Sequence, residues 1–362
     1  MRAGAFCRWL FLLLLCAPLL ASAEPYLAVR YGLKCMGCHV NPTGGGLRNA
    51  TGVQFSQVTI PQFQLPSVLQ GWKGSLGPDI LRLGGDFRTA KIDTRVPSEP
   101  TQHFSGTEQS RLYGDVQIWP GHMGFYMDQM VAPGQSQEEE RYVRLSATNM
   151  ELYFKGGQFY LPFGWRLQDQ SAFVRQLSGI NMTAPDRGVE LGLELPNVSA
   201  QLDYTDGPGN RGNVTGHQVT SQVQWLQSWG RIGGAVAFVT SSAGARRVAG
   251  LFGGTKTGPV AWLGEVDWVS DAGYPEGTRR QLASLLEADW LAFKGHNLKF
   301  TSEFLDPDLK VHNDNKVRYS AVYEYTPIAF IQLRAGYRYY GGIPQNNFDN
   351  RRVTFVELHA LF

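Results

Sequence analysis

The chain has 362 residues, 43% of them hydrophobic and 18% charged, with 33 Lys and Arg against 31 Asp and Glu. A net charge of +2 excludes a basic nucleic-acid binder and an acidic tail, and four cysteines are too few to staple so long a chain. The length allows one large domain or two ordinary ones.

Residues 1–23 read as a signal peptide. Arg2 and Arg8 form a basic start, "WLFLLLLCAPLL" is apolar but too short to span a bilayer as a helix, and "ASA" supplies small residues for cleavage before Glu24. Leu15 stands before Cys16 where a lipoprotein wants a small residue. Cleavage removes Cys7 and Cys16, so Cys35 and Cys38 are the cysteines that remain. It also removes Arg2 and Arg8, which balances the charge against the 31 acidic residues.

Glu24 to Pro78 is rich in Gly, Pro, Gln and Thr and has little periodicity, so a mostly irregular segment is predicted over 24–78. It holds "KCMGCHVNPTGGG", Lys34 to Gly46. Cys-x-x-Cys-His is the attachment signature of c-type haem. Two thiols at this spacing bond the two vinyl groups of the porphyrin, and the adjacent His39 becomes the proximal axial ligand of the iron. Attachment follows export, which the signal peptide provides. A structural zinc site would need a second ligand pair, a thioredoxin-like dithiol a βαβ setting, and a plain disulfide has no use for His39. The expectation is one covalent haem c on Cys35, Cys38 and His39. Three successive glycines, Gly44 to Gly46, allow close backbone approach and positive φ. Arg30, Lys34 and Arg48 are candidates for neutralising haem propionates.

From Asp79 onward, apolar and polar residues alternate with a period of two, the mark of β-strands. In "VELGLEL", Val189, Leu191, Leu193 and Leu195 oppose Glu190 and Glu194. In "VRYSAVYEY", Tyr319, Ala321, Tyr323 and Tyr325 oppose Arg318, Ser320 and Glu324. Tight connections are expected at 119–122, 147–149, 196–197, 227–230, 256–259, 294–296 and 326–328. Longer ones are expected at 92–108, 132–140, 160–187, 206–216, 241–245, 270–278, 306–314 and 340–351. This alternation predicts an all-β, antiparallel transmembrane barrel over 79–362. It would have about sixteen strands, short periplasmic turns and longer extracellular loops, set in the lipid of a bacterial outer membrane. A mean hydropathy of −0.23 is compatible, because a barrel shows only alternate residues to lipid. Four Asn-x-Ser/Thr sequons, at Asn49, Asn181, Asn197 and Asn213, carry no weight in a bacterial envelope protein.

The chain ends in "VTFVELHALF". Its terminal Phe362, in phase with Ala360, Leu358 and Val356, resembles the closing strand of outer-membrane porins. His359 lies on the other face, toward the lumen and about 10 Å from the periplasmic end. It is therefore the candidate distal haem ligand, with Glu357 on the same face to orient the ring. His122 and His296, in tight turns, are the alternatives, while His103 and His312 fall in predicted extracellular loops.

Signal peptide, one Cys35-x-x-Cys38-His39 and a barrel of porin size together resemble the fused monohaem cytochrome–porins. "GGQFYLPFGWR", Gly156 to Arg166, is also similar to porin sequences. The resemblance implies electron transfer across the outer membrane, which in that family includes oxidation of extracellular ferrous iron. It implies a periplasmic redox partner such as a c-type cytochrome and an extracellular electron donor or acceptor, with no nucleic acid. The alternative is a passive diffusion porin whose haem segment is structural or regulatory. No Ser/His/Asp or paired-carboxylate catalytic set is apparent.

Overall fold

A strand with apolar side chains on one face and charged ones on the other has two ways to be stable. It can bury the apolar face in a second sheet, or turn that face to lipid and close on its charges. In the computed structural model the second holds. It describes residues 24–66, 70–77, 80–134, 136–147, 150–180, 182–207 and 215–361. The signal peptide, the junction at Pro78 and Asp79, and Phe362 lie outside the described residues.

The described residues form seventeen strands, β1 (Ser75–Leu76) to β17 (Arg352–Leu361), in one sheet. From β2 (Leu81–Arg95) onward each strand pairs antiparallel with the next. β17 then returns to β2, from Arg352↔Arg95 to Leu361↔Asp86, and closes a sixteen-stranded barrel. The remaining strand, β1, is a two-residue edge on β2. The faces sort as expected. On β7 (Asp186–Leu195), Glu190 is 0% and Glu194 6% exposed, while Leu191 is 50% and Leu195 40% exposed. Exposed aromatics ring both rims, Trp225, Trp229, Trp290 and Phe293 toward the tight turns and Tyr204, Phe238, Tyr319 and Tyr339 toward the other end. These are the belts that meet the two membrane interfaces.

Three predicted long connections are shorter than expected. β10 (Gly230–Ser241) and β11 (Gly244–Thr257) pair through Ser241↔Gly244, so 241–245 is a two-residue turn, with Gly244 at φ 123°. Strands also run to Arg95 and resume at Gln102, and run to Ala132 and resume at Gln137. Ladder bonds continue past the lipid whatever the side chains are, so turn-like composition marks the rim without measuring the loop.

Two segments fill the lumen. The N-terminal one carries α1 (Pro25–Tyr31), a 3₁₀ turn at Cys35–Gly37 and α2 (Ala50–Val58). The other joins β6 (Leu152–Phe159) to β7 and carries α3 (Phe173–Ser178). The lumenal core is shared between them: Tyr26, Leu27, Val29, Val40 and Leu47 cluster with Phe163, Trp165, Phe173 and Val174.

Candidate cofactor site

The N-terminal segment is fixed at the tight-turn rim. The Arg30 guanidinium donates to Gly258 O, and Lys256 Nζ donates to Arg30 O at 3.1 Å. Lys34 Nζ pairs with Glu194 Oε2 at 3.0 Å and donates to Val198 O at 2.9 Å. Gln62 N and Phe63 N donate to Thr326 O (2.9 Å) and Pro327 O (2.8 Å). Deeper in the lumen, wall side chains satisfy its polar groups, as burial demands. Arg144 donates to Val40 O, Lys155 Nζ to Asn41 Oδ1 at 3.2 Å, Asn41 Nδ2 to Glu140 Oε1 at 3.2 Å, and Leu47 N to Tyr126 Oη at 3.2 Å.

The motif is a tight local structure. Cys38 N and His39 N both donate to Cys35 O, at 3.1 and 2.9 Å. A bridge between His39 and Arg48 returns the chain, and Asn49 N donates to Cys38 O at 3.0 Å. Asn49 then caps α2 by accepting from Gly52 N at 2.9 Å, while its amide donates to Met36 O (2.9 Å) and His39 O (3.3 Å). A side chain on Gly52 would overlap Cys38 O, so α2 lies directly on the motif. Between the bridge strands, Gly45 and Gly46 have φ of 77° and 59°. A Cβ on Gly46 would strike the Tyr126 hydroxyl, and one on Gly45 would stand 2.9 Å from Met182 Cε, so both the turn and the close approach require glycine.

Cys35 and Cys38 are free thiols, each half-buried, and burial pushes both pKa values up. His39 is 7% exposed, with its imidazole beside the backbone of Gly45 and Gly46. Burial, then the charges of Arg48 and Arg166, push its pKa down to about 3, which keeps the ring neutral. Its Nδ1 is buried without a hydrogen-bond partner. All three residues line a cavity of about 1500 Å³, counting the space open to solvent. Arg48, Arg88, Arg111, Arg166 and Arg231 share the lining, and burial lowers Arg48 to about 10. Among the described residues no three His, Cys, Asp or Glu side chains gather as a metal site.

These residues fit a c-type haem: two thiols and a neutral imidazole with an unpartnered buried nitrogen on one wall, and cations for carboxylates around them. Of the three predicted propionate partners, Arg30 is engaged at the rim, Lys34 lines the cavity but is paired with Glu194, and Arg48 is buried in the lining.

His359 faces the lumen, as its parity requires, and is fully buried. Its Nε2 lies 2.9 Å from Asp86 Oδ2 and 3.3 Å from Arg88 Nε, and its Nδ1 lies 3.3 Å from Gln332 Oε1 and 3.4 Å from Gln168 Nε2. Asp86, not Glu357, orients the ring. Glu357 pairs instead with Arg334 at 3.0 Å. His122 packs at a tilt against Trp119 with centroids 4.5 Å apart, and His296 Nδ1 meets the outward Tyr323 hydroxyl at 2.6 Å. His103 pairs with Asp93 in the opposite half. Arg88, Arg111 and Arg231 could have been found from inward parity on their strands. Arg166 and Met182, in the connection between β6 and β7, carried no such signal.

No family model matches the chain, and no curated protein does. Among solved structures it is similar to the anion-selective porin from Comamonas acidovorans, with TM-score 0.62 and 11% identity over 78% of this chain and 99% of that one. It is similar to a loop-deletion mutant of OmpT, an outer membrane protein of Vibrio cholerae, with TM-score 0.61 and 11% identity over 78% and 100%. Salmonella typhi OmpF in complex with daunomycin aligns with TM-score 0.58 and 9% identity over 79% and 99%. At such identities the likeness is one of fold, and with the lipid-facing apolar surface it makes the chain a porin-like barrel of the bacterial outer membrane.

Proposed function

We propose that this barrel carries electrons across the outer membrane through a single haem c bound to Cys35 and Cys38, with His39 on the iron. The observation that carries the reading is the Cys35-x-x-Cys38-His39 turn packed inside the lumen against a large, arginine-lined cavity. When bound, the haem supplies a one-electron carrier. The chain's own residues do the rest. The two thiols fix the group, neutral His39 offers a ring nitrogen, Arg48 supplies charge for carboxylates, and the sixteen strands exclude lipid. The apolar band of such a barrel is about 25 Å tall, and a carrier inside the lumen divides that distance. The periplasmic partner is a redox protein of c-type cytochrome kind, and the outer partner an extracellular donor or acceptor, with ferrous iron as the substrate that the family resemblance suggests.

A second reading is a diffusion porin whose N-terminal segment only plugs or regulates the lumen, and fold likeness taken alone favours it. One experiment separates the two. Purified protein in liposomes receives a membrane-impermeant reductant outside and a trapped acceptor inside. Reduction of the acceptor in wild type and not in a Cys35→Ala/Cys38→Ala variant supports electron transfer. No reduction, together with solute conductance in planar bilayers, supports the porin.

A further inference from the structure

The geometry points to Met182 Sδ as the second axial ligand of the haem, supplied by the segment that folds in from the opposite rim. This rests on the haem reading above. The chain has seven histidines and seven methionines. Among the described residues, His39 and Met182 are the two of these that line the cavity holding Cys35 and Cys38. The two side chains meet the same turn: His39 lies beside the backbone of Gly45 and Gly46, and the Met182 methyl lies 2.9 Å from where a Gly45 Cβ would stand. Met36 lies between the cysteines and is not in the lining. His359 has both ring nitrogens within hydrogen-bonding reach of other side chains.

Met182 is also held for the task. Its N–H donates to Gln170 Oε1 at 2.9 Å, and its carbonyl accepts from Arg111 Nη2 at 3.0 Å. Arg111 is buried and anchored in turn by Asp128 Oδ2 at 3.1 Å and the Tyr160 hydroxyl at 3.0 Å. The main chain of Met182 is thus pinned on both sides while the flexible thioether reaches into the cavity. Thioether sulfur is a soft donor suited to haem iron, and a His/Met pair raises the potential of the couple.

The test uses full-length protein purified from outer membranes of cells that attach haem, in detergent. It compares wild type with Met182→Leu, Met182→His and His359→Gln. Wild type is expected to be low-spin, with the weak red charge-transfer band that thioether sulfur gives ferric haem. Met182→Leu, close in volume and shape, should turn high-spin and lose the band. Met182→His should return to low spin without the band and at a lower midpoint potential. His359→Gln should keep the wild-type spectrum. Haem staining of the denatured band runs in parallel. A stained protein whose spectrum ignores Met182, or turns high-spin on loss of His359, overturns the ligand assignment and leaves the haem reading intact. An unstained wild type overturns the haem reading, and this inference with it.

Discussion

The two segments inside the barrel enter from opposite ends and are held by partly different chemistry. The N-terminal segment offers carbonyls to cationic donors. Arg231 donates to Ala28 O at 2.8 Å, Arg144 to Val40 O, and Arg166 to Gly44 O at 2.9 Å. The segment between β6 and β7 offers main-chain N–H groups to wall carboxylates. Trp165 N donates to Glu265 Oε2 at 3.0 Å and Phe173 N to Glu303 Oε2 at 2.7 Å. Wall arginines reach carbonyls of both segments, Arg246 to Ser178 O at 2.7 Å and Arg111 to Met182 O at 3.0 Å, so the contrast lies in the main-chain N–H groups that the segment between β6 and β7 gives to wall carboxylates.

That division can be broken from either side. The largest effect expected is from Cys35→Ala/Cys38→Ala: complete loss of peroxidase-active stain from the denatured band, with the heat-modifiable barrel retained in outer membranes. Stain that survives in the double variant would sink covalent attachment. On the acidic side, Glu303→Ala removes the acceptor of Phe173 N and a partner of Arg318, which is 1% exposed. Breaking a buried pair costs about 3 kcal/mol or more. Protease sites around α3 should open while those in 24–66 stay protected, and equal opening of both would show that the two segments are not separately held.

Gly52→Val acts only on the N-terminal segment, because the new side chain overlaps Cys38 O. Overpacking of this kind costs about 1–3 kcal/mol. It should appear as cleavage within 24–66 with an intact barrel, and a variant as resistant as wild type would show that α2 can step aside. Asn49→Ala is the mildest, since loss of its cap and its two amide bonds weakens the same segment by about 1 kcal/mol. Hydrogen exchange of the α2 amides should rise with no change around α3.

The barrel was readable because its pattern is extreme. Glu190 against Leu191 and Arg318 against Tyr319 alternate without a break, and the alternation of tight and long connections, with the signal peptide, pointed to a closed barrel in lipid rather than a sandwich. The motif could be found without tertiary information, since Cys35, Cys38 and His39 fall close together in sequence, and all three line the lumenal cavity. What escaped was everything that depends on long-range meeting. The connection over 160–187 was seen as long, but its inward fold was not anticipated, although Phe163, Trp165, Phe173 and Val174 are too apolar for a solvated loop. His359 had the right parity and the wrong companion, because Asp86 lies on the first barrel strand and nothing local announces that contact. The connection over 241–245 was expected to be long, but pairing of Ser241 with Gly244 leaves only two residues in it.

Glu24, the first described residue, finds Lys299 at a separation of 275 residues. Loop closure over such a span adds little free energy beyond that of a shorter loop, but it fixes an order of events. The earliest-exported part of the chain has no complete wall to dock against until the strand bearing Lys299 is in place. During that interval Cys35 and Cys38 are on an open polypeptide. Once the lumen forms around it, His39 is 7% exposed. The barrel thus acts on its own N-terminus as a timed enclosure.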